Sequence, residues 1–178
     1  MSASTKKISL LAVGIALFVV LSLCLQVPVF ENYYLCLGYV VMAVYSYSFG
    51  IFSGTVVGFM GVILYCLVIS GLRGMPGWSL GNIVIGIAIG LMFKTTRNWK
   101  STVLKLGIEC FVIVAATALG ILVVKSETES LLYSQPFLVR AVKNTSAFIA
   151  DSVMLIISLP ICKVLDPYAE RIMPDLHV

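Results

Sequence analysis

Apolar residues run along most of this chain in stretches long enough to cross a membrane, and short polar clusters separate them. A transmembrane helix needs about 20 mostly apolar residues, because it must cross about 30 Å of hydrocarbon at about 1.5 Å per residue. The stretch Asn32–Leu72 contains no charged residue. As one helix it would be about 60 Å long, so we expect two spans joined by a turn at Tyr47–Gly50.

The complete pattern predicts an all-α membrane protein, a compact bundle of six transmembrane helices that forms a single domain over residues 1–178. The expected spans are Ile8–Val27, Tyr33–Tyr47, Ile51–Ser70, Trp78–Phe93, Val103–Val124 and Phe137–Leu165.

The basic residues orient this bundle, since lysine and arginine concentrate in cytoplasmic segments. With six spans and both termini in the cytoplasm, eight basic residues lie inside: Lys6, Lys7, Lys94, Arg97, Lys100, Lys105, Lys163 and Arg171. Four lie outside: Arg73, Lys125, Arg140 and Lys143. If Asn32–Leu72 formed one span, the basic clusters before the first span and after the fourth would face opposite sides of the membrane. Six spans is the better solution, and a bacterial cell membrane is the expected location.

The composition agrees with the membrane assignment, because 60% of the residues are hydrophobic and only 11% are charged. A soluble domain of this size needs more charge on its surface. The net charge of +4 comes from short clusters between spans, which does not indicate nucleic-acid binding. The five cysteines are scattered through apolar stretches without C-x-x-C spacing, which favours small buried side chains over disulfides or a zinc site.

Small residues recur at four-residue spacing within three of the predicted spans or directly before one of them. Such spacing clears one helix face of side chains, so that two backbones can approach closely. The residues are Gly50, Gly54 and Gly58, then Gly86 and Gly90, and also Ala12 and Ala16. Packing within the bundle explains most motifs of this kind, and an exposed small-residue face can instead dock another subunit.

Polar residues occupy one face of the sixth predicted span, where hydrocarbon would exclude them. Asp151 lies near the middle of this span, and Arg140, Lys143 and Asn144 lie two or three turns further out. Their spacing places all four on one face, which we expect to line a cavity or to pair with a neighbouring helix. A charge at mid-membrane costs about 2.5–3.5 kcal/mol on insertion scales, so Asp151 needs a structural partner or a function.

The outer loops combine aromatic rings with hydrogen-bonding groups, which is the combination that a planar or amphipathic ligand requires. Aromatic residues at these depths are also ordinary interfacial anchors. The candidates in the first loop are Gln26, Asn32, Tyr33 and Tyr34, and those in or after the third-to-fourth loop are Arg73, Trp78 and Asn82.

No catalytic set is visible, so we do not expect an enzyme. The chain lacks the G-x-x-x-x-G-K-[ST] sequence of a P-loop ATPase. The only histidine, His177, lies next to the last residue, which excludes histidine-based triads and argues against a metal site in the bundle. Glu109 is expected to pair with Lys105, one helical turn earlier.

Three of these features together resemble the substrate-binding S components of energy-coupling factor (ECF) vitamin transporters, over essentially the whole chain. Ala12-Val13-Gly14-Ile15-Ala16 is similar to the A-x-x-x-A motif in the first span of that family. Pro76-Gly77-Trp78-Ser79-Leu80-Gly81-Asn82, followed by Gly86 and Gly90, looks like the start of the fourth span in its riboflavin/hydroxymethylpyrimidine branch. The polar sixth helix around Asn144 is the third feature.

The resemblance implies a subunit that captures a vitamin outside the cell and delivers it inward with a membrane scaffold and two ATPase subunits. ATP would be used by those partners, and the chain itself would need no cofactor. Ala12 and Ala16 would contact the scaffold. The ligand would lie among Gln26, Asn32, Tyr33, Tyr34, Arg73, Trp78, Asn82, Arg140, Lys143 and Asn144. Cobalamin is the expected vitamin, since the chain looks most like cobalamin-specific members, and riboflavin, pyridoxine-type vitamers and thiamine precursors are the alternatives.

A different class of function also fits the intramembrane carboxylate. A stand-alone small carrier or channel could use Asp151 as a proton or cation site. No inverted repeat is apparent in the sequence to support that reading, so the transporter subunit is preferred.

Overall fold

The structure is a computed structural model, which describes the backbone of residues 3–24, 27–30, 33–69 and 75–178, and the side chains of 5–24, 35–69 and 76–178. Its helices are α1 (Ala3–Cys24), α2 (Gly38–Ile69), α3 (Met75–Thr96), α4 (Thr102–Thr117), α5 (Ser126–Tyr133) and α6 (Phe137–Ile172). A π-helical segment, Ala118–Lys125, joins α4 to α5 without a break. The strands β1 (Val27–Phe30) and β2 (Tyr33–Leu35) pair antiparallel.

Over the described residues, five helices are long and apolar enough to cross a membrane, whereas the sequence predicted six. These five are Thr5–Cys24, Gly38–Ile69, Pro76–Thr96, Thr102–Tyr133 and Phe137–Ile172. The difference arises in α2, which contains both the second and the third predicted spans. All five are helical and apolar, which confirms an all-α membrane architecture with one added hairpin of short strands.

Helix α2 is sharply bent at Gly50, inside the turn that the sequence predicted. Gly50 has φ 84° and ψ 176°, a backbone conformation that residues other than glycine rarely adopt. A Cβ added at Gly54 would lie 2.8 Å from Cα of Ser46, and one at Gly58 would lie 3.0 Å from Cγ of Met42. Both pairs are symmetric about Gly50, and in a straight helix each would be about 12 Å or more apart. The two arms of α2 therefore run antiparallel and pack against each other.

The start of α1 and the last residues of the chain lie at the same end of the bundle as this bend. The side chain of Lys6 forms an ion pair with Asp175, and the backbone N–H of Val178 donates to the carbonyl of Ser48 at 3.1 Å. Arg97, just beyond α3, lies 3.7 Å from Asp166 of α6. We call this the terminal end, and the opposite end, which carries β1 and β2, the hairpin end.

Several helix boundaries differ from the predicted ones, because tertiary contacts extend or shorten the helices. The first span ends at Cys24, and Val27 begins strand β1 by pairing with Leu35. Tyr33 lies in β2, so the helix expected to start there begins at Gly38. The fifth span, predicted to end at Val124, continues to Tyr133.

The sixth span was predicted to end at Leu165 and continues to Ile172, past Pro160 and Pro167. Its last turns are held at the terminal end by Asp166, which accepts hydrogen bonds from the hydroxyl of Ser48 at 2.8 Å and lies 2.8 Å from Nε2 of His177. The apolar pattern of the sequence does not predict these polar contacts, so it ends the helix too early.

The glycine motifs serve packing inside the bundle. A Cβ at Gly86 would lie 2.8 Å from Cα of Thr55, and one at Gly90 would lie 2.7 Å from Cα of Ile51. The glycines of α3 thus allow the second arm of α2 to approach backbone to backbone. Ala12 and Ala16 differ from them, because both are exposed on the outer surface of α1.

Candidate ligand site

Polar side chains concentrate at the hairpin end, in the interior between α2, α3, the π-helical segment with α5, and α6. These elements meet there because each of them begins or ends at the hairpin end. Helices α3 and α6 start at the hairpin end, and the α4–α5 stretch finishes there, since Lys105 and Glu109 near its start lie beside Thr96 at the other end of α3. The candidate site consists of the polar residues that these elements turn inward.

The first group in the site is a chain of hydrogen bonds from Trp78 to the backbone of α2. The indole Nε1–H of Trp78 donates to the hydroxyl of Tyr39 at 2.8 Å, and this hydroxyl donates to Oδ1 of Asn82 at 2.9 Å. Nδ2 of Asn82 in turn donates to the carbonyl of Gly58 at 3.1 Å. Tyr39 and Asn82 are both 0% exposed. The chain fixes α3 against both arms of α2.

These contacts give different roles to Trp78 and Asn82, the two residues of α3 that the sequence predicted to contact the ligand. Asn82 is fully buried, and both ends of its side-chain amide are bonded within the bundle. Trp78 is half-buried, and its ring meets that of Tyr65 edge to face, with centroids 5.6 Å apart. Trp78 can thus offer ring surface to a ligand, whereas Asn82 holds Tyr39 and, through it, Trp78 in place.

Asp151 lies one layer deeper, on α6. It is 5% exposed, and its carboxylate interacts with the hydroxyl of Tyr39 and with the charge of Lys125. The hydroxyl of Tyr39, whose proton is donated to Asn82, and the charge of Lys125 are therefore the neighbours that the sequence left open for Asp151. Neither partner was proposed from the sequence, because Tyr39 lies in an uncharged run and Lys125 directly follows the predicted fifth span.

The second polar group joins α5 to the start of α6. Nδ2 of Asn144 donates to Oγ of Ser126 at 3.0 Å and to Oε2 of Glu129 at 3.1 Å. Nη1 of Arg140 lies 3.7 Å from the same Oε2. The guanidinium of Arg140 also lies 4.5 Å from the centre of the Tyr133 ring, a favourable cation–π distance.

The sequence missed the contribution of Ser126, Glu129 and Tyr133, because it ended the fifth span before them. The signal available was one helical period: Ser126, Glu129 and Tyr133 recur at spacings of three and four residues and share a face of α5. Ser126 and Glu129 are buried, while Glu127 between them is exposed. This face is the one that meets α6.

The predicted stripe on α6 is reproduced except at one position. Asn144 and Asp151 are buried, and the side chain of Arg140 is only 18% exposed. Lys143 is exposed, since it lies about 100° around the helix from Asn144 and falls on the outer surface. The site therefore gathers Arg140, Asn144 and Asp151, with Lys143 outside it.

Other predicted positions lie outside the described residues or are described by backbone alone. Gln26, Asn32 and Arg73 are among the positions that the structure leaves undescribed, and Tyr33 and Tyr34 are placed only as part of β2. The hairpin that carries these two tyrosines lies at the same end of the bundle as the polar cluster.

A further prediction concerns a position away from the cluster. Glu109 pairs with Lys105 as expected, at 3.9 Å, and also accepts a hydrogen bond from Thr96 at 3.0 Å. Among the described residues, no group of three or more histidine, cysteine or acidic side chains is arranged to hold a metal ion.

Comparison with known proteins places this architecture in a family. Residues 2–167 match the family described as the ECF-type riboflavin transporter, S component. A "UPF0397 protein" of Vibrio atlanticus (strain LGP32) is 32% identical over 142 residues, which cover 77% of each chain. Relatives with the same description from Streptococcus thermophilus (strain ATCC BAA-491 / LMD-9) and Lactococcus lactis subsp. cremoris (strain NZ9000) are each 33% identical. Their matches cover 46% and 51% of this chain, and 45% and 50% of their own lengths.

The family match covers most of the chain, and the five apolar helices agree with a multi-pass membrane protein. Members of this family are transporter subunits, not a class of enzymes. This chain belongs to the S components of ECF-type transporters, the subunits that bind substrate in the membrane.

Proposed function

We propose that this protein captures a vitamin at its hairpin end and delivers it across the membrane together with an ECF scaffold subunit and two ATPase subunits. In this arrangement the two arms of α2 cross the membrane separately, which gives six crossings. Both termini then face the cytoplasm, and the hairpin end faces outward. ATP hydrolysis belongs to the partner subunits, and the chain needs no cofactor of its own.

The orientation rests on the charges at the terminal end. Lys6, Arg97 and Arg171 accompany both termini there, and cytoplasmic segments are the ones enriched in lysine and arginine. An even number of crossings follows from the contact between Lys6 and Asp175, because it brings the start and the finish of the chain to one side.

The observation that carries the proposal is the polar cluster inside the hairpin end of a bundle that belongs to a substrate-binding family. Trp78 offers ring surface and Arg140 offers hydrogen-bond donors beside the buried amide of Asn144, within a shell of apolar helices. Aromatic faces beside a few convergent polar groups are typical of sites for small organic ligands.

Cobalamin is our first candidate for the vitamin, as the resemblance given in the sequence analysis implies. Riboflavin is the second candidate, because it is named in the description of the matching family. Pyridoxine-type vitamers and thiamine precursors complete the set to be tested. Mass spectrometry of small molecules that co-purify with the detergent-extracted protein would identify the ligand without prior assumption.

Binding measurements on purified variants test the site. Arg140→Ala should raise the dissociation constant because it removes a donor that the ligand would use. Asn144→Ala should raise it because the amide of Asn144 helps to hold Glu129 beside Arg140. Lys143→Ala is the matched control, since Lys143 neighbours both positions but is exposed. If both variants bound the vitamin as tightly as the wild-type protein, α6 would not contribute to the ligand site.

A separate experiment tests the transport partnership. A tagged wild-type chain should co-purify with two ATPase subunits and a membrane scaffold, and vitamin uptake should stop when those subunits are absent. Uptake into liposomes by the isolated chain under an ion gradient would instead support the stand-alone carrier that uses Asp151.

A further inference from the structure

Glu129 is a buried acidic residue on α5, close to the surface of the hairpin end. It is 6% exposed, whereas Glu127, two residues earlier on the same helix, is exposed. A buried carboxylate is costly unless other groups bond to it. Three side chains stabilise the carboxylate of Glu129. Asn144 donates a hydrogen bond to it, and the positive charges of Arg140 and Lys125 interact with it electrostatically.

One oxygen of this carboxylate receives two side chains of α6. Oε2 accepts from Nδ2 of Asn144 at 3.1 Å and lies 3.7 Å from Nη1 of Arg140. Arg140 and Asn144 are one helical turn apart, so their side chains reach the same point from adjacent positions. A single atom of Glu129 therefore contributes to the direction of both side chains.

Tyr133, one turn after Glu129, completes the support of Arg140. Its ring lies under the guanidinium at 4.5 Å, so α5 holds Arg140 through both a carboxylate and an aromatic face. Nε of Arg140 is nevertheless buried and has no hydrogen-bond partner among the described residues. A buried donor without a partner is costly, which makes it available to an acceptor on a ligand.

We propose that Glu129 is a positioning residue of the vitamin site, which holds Asn144 and orients Arg140 so that the remaining N–H groups of Arg140 bind acceptor oxygens of the ligand. The inference rests on the proposed function and deepens it, since it names a group that acts through two others without touching the vitamin. It also defines the chemistry of the ligand at this point as carbonyl, carboxylate or phosphate oxygen.

Glu129→Gln tests this role with little change in shape. The dissociation constant for whichever of cobalamin and riboflavin binds the wild-type protein should rise about tenfold to a hundredfold, as expected for loss of a hydrogen bond to a charged group. Glu127→Gln removes the same charge from the same helix at an exposed position, and it should leave the dissociation constant within about twofold of the wild-type value. Thermal unfolding of both variants without ligand shows whether the fold is intact, and Glu129→Asp, which retains the charge, provides a second variant if Glu129→Gln unfolds.

A double-mutant cycle separates positioning from a general structural role. If Glu129 acts through Arg140 and Asn144, Glu129→Gln should have no further effect on binding once both of these residues are alanine. An equal loss in that background would overturn the proposal, and so would unchanged binding by Glu129→Gln alone. If the wild-type protein bound none of the vitamins tested, the proposed function would fail and this inference with it, whereas tight binding by both wild type and Glu129→Gln would remove only the inference.

Discussion

The close approach of the two arms of α2 predicts opposite effects for the same substitution at two glycines. Gly54 lies in the second arm, against Ser46 of the first. A Cβ at Gly54 would overlap Oγ of Ser46 and lie 2.8 Å from its Cα. Rotation of the serine side chain relieves the first overlap, but the second involves backbone, so the two arms must separate by several tenths of an ångström.

The magnitude follows from two opposing terms. Insertion of a methyl group into a packed interior costs about 1–3 kcal/mol. Replacement of a helical glycine by alanine contributes about 0.5–1 kcal/mol of stability, because alanine loses less backbone entropy on folding. Gly54→Ala should therefore destabilise the protein by up to about 2.5 kcal/mol. At about 2–4 °C per kcal/mol for a chain of this length, Tm should fall by up to about 10 °C.

Gly107 provides the matched control, because it is also helical and a Cβ there would meet nothing within 4 Å. Gly107→Ala should raise Tm slightly, since only the propensity term remains. Both variants can be followed by thermal unfolding in one detergent, with circular dichroism at 222 nm as the readout. A Tm for Gly54→Ala equal to or above that of Gly107→Ala would show that the arms of α2 do not pack as described.

Three further substitutions probe other parts of the molecule. Replacing Ala12 and Ala16 together with leucine should abolish vitamin uptake and leave vitamin binding unchanged, because the bulk obstructs a partner helix on an exposed face; normal uptake by this variant would exclude the docking role. Asn82→Ala leaves the hydroxyl of Tyr39 and the carbonyl of Gly58 without their partner, so we expect a loss of about 1–3 kcal/mol in unfolding measurements, and an unchanged Tm would contradict it. Asp166→Asn weakens the links to Arg97 and His177 at a partly exposed position, which should cost about 1 kcal/mol or less, and a larger loss would show that this cluster is more than a surface contact.

The apolar periodicity was sufficient to predict most of the fold, because a membrane allows few alternatives to a helix. It placed the turn of α2 within the correct four residues, since an uncharged stretch about twice the thickness of the bilayer must reverse direction. It also predicted the ion pair of Lys105 and Glu109, which depends only on helical spacing. The polar face of α6 could also be predicted from helical spacing, because its few polar residues interrupt an otherwise apolar helix.

The partners of those polar residues could not be read from the chain. Asp151 meets Tyr39, which is more than 100 residues away in sequence, and Asn144 meets Glu129 across a helical hairpin. Lys143 shares the predicted stripe by spacing and yet faces outward, because the orientation of a helix depends on all of its neighbours. The sequence by itself determined which segments are helical and which of them carry unusual polarity, since both are local properties. Only the tertiary structure decided which polar groups meet, because that depends on how the packed helices are rotated and at what depth each one lies.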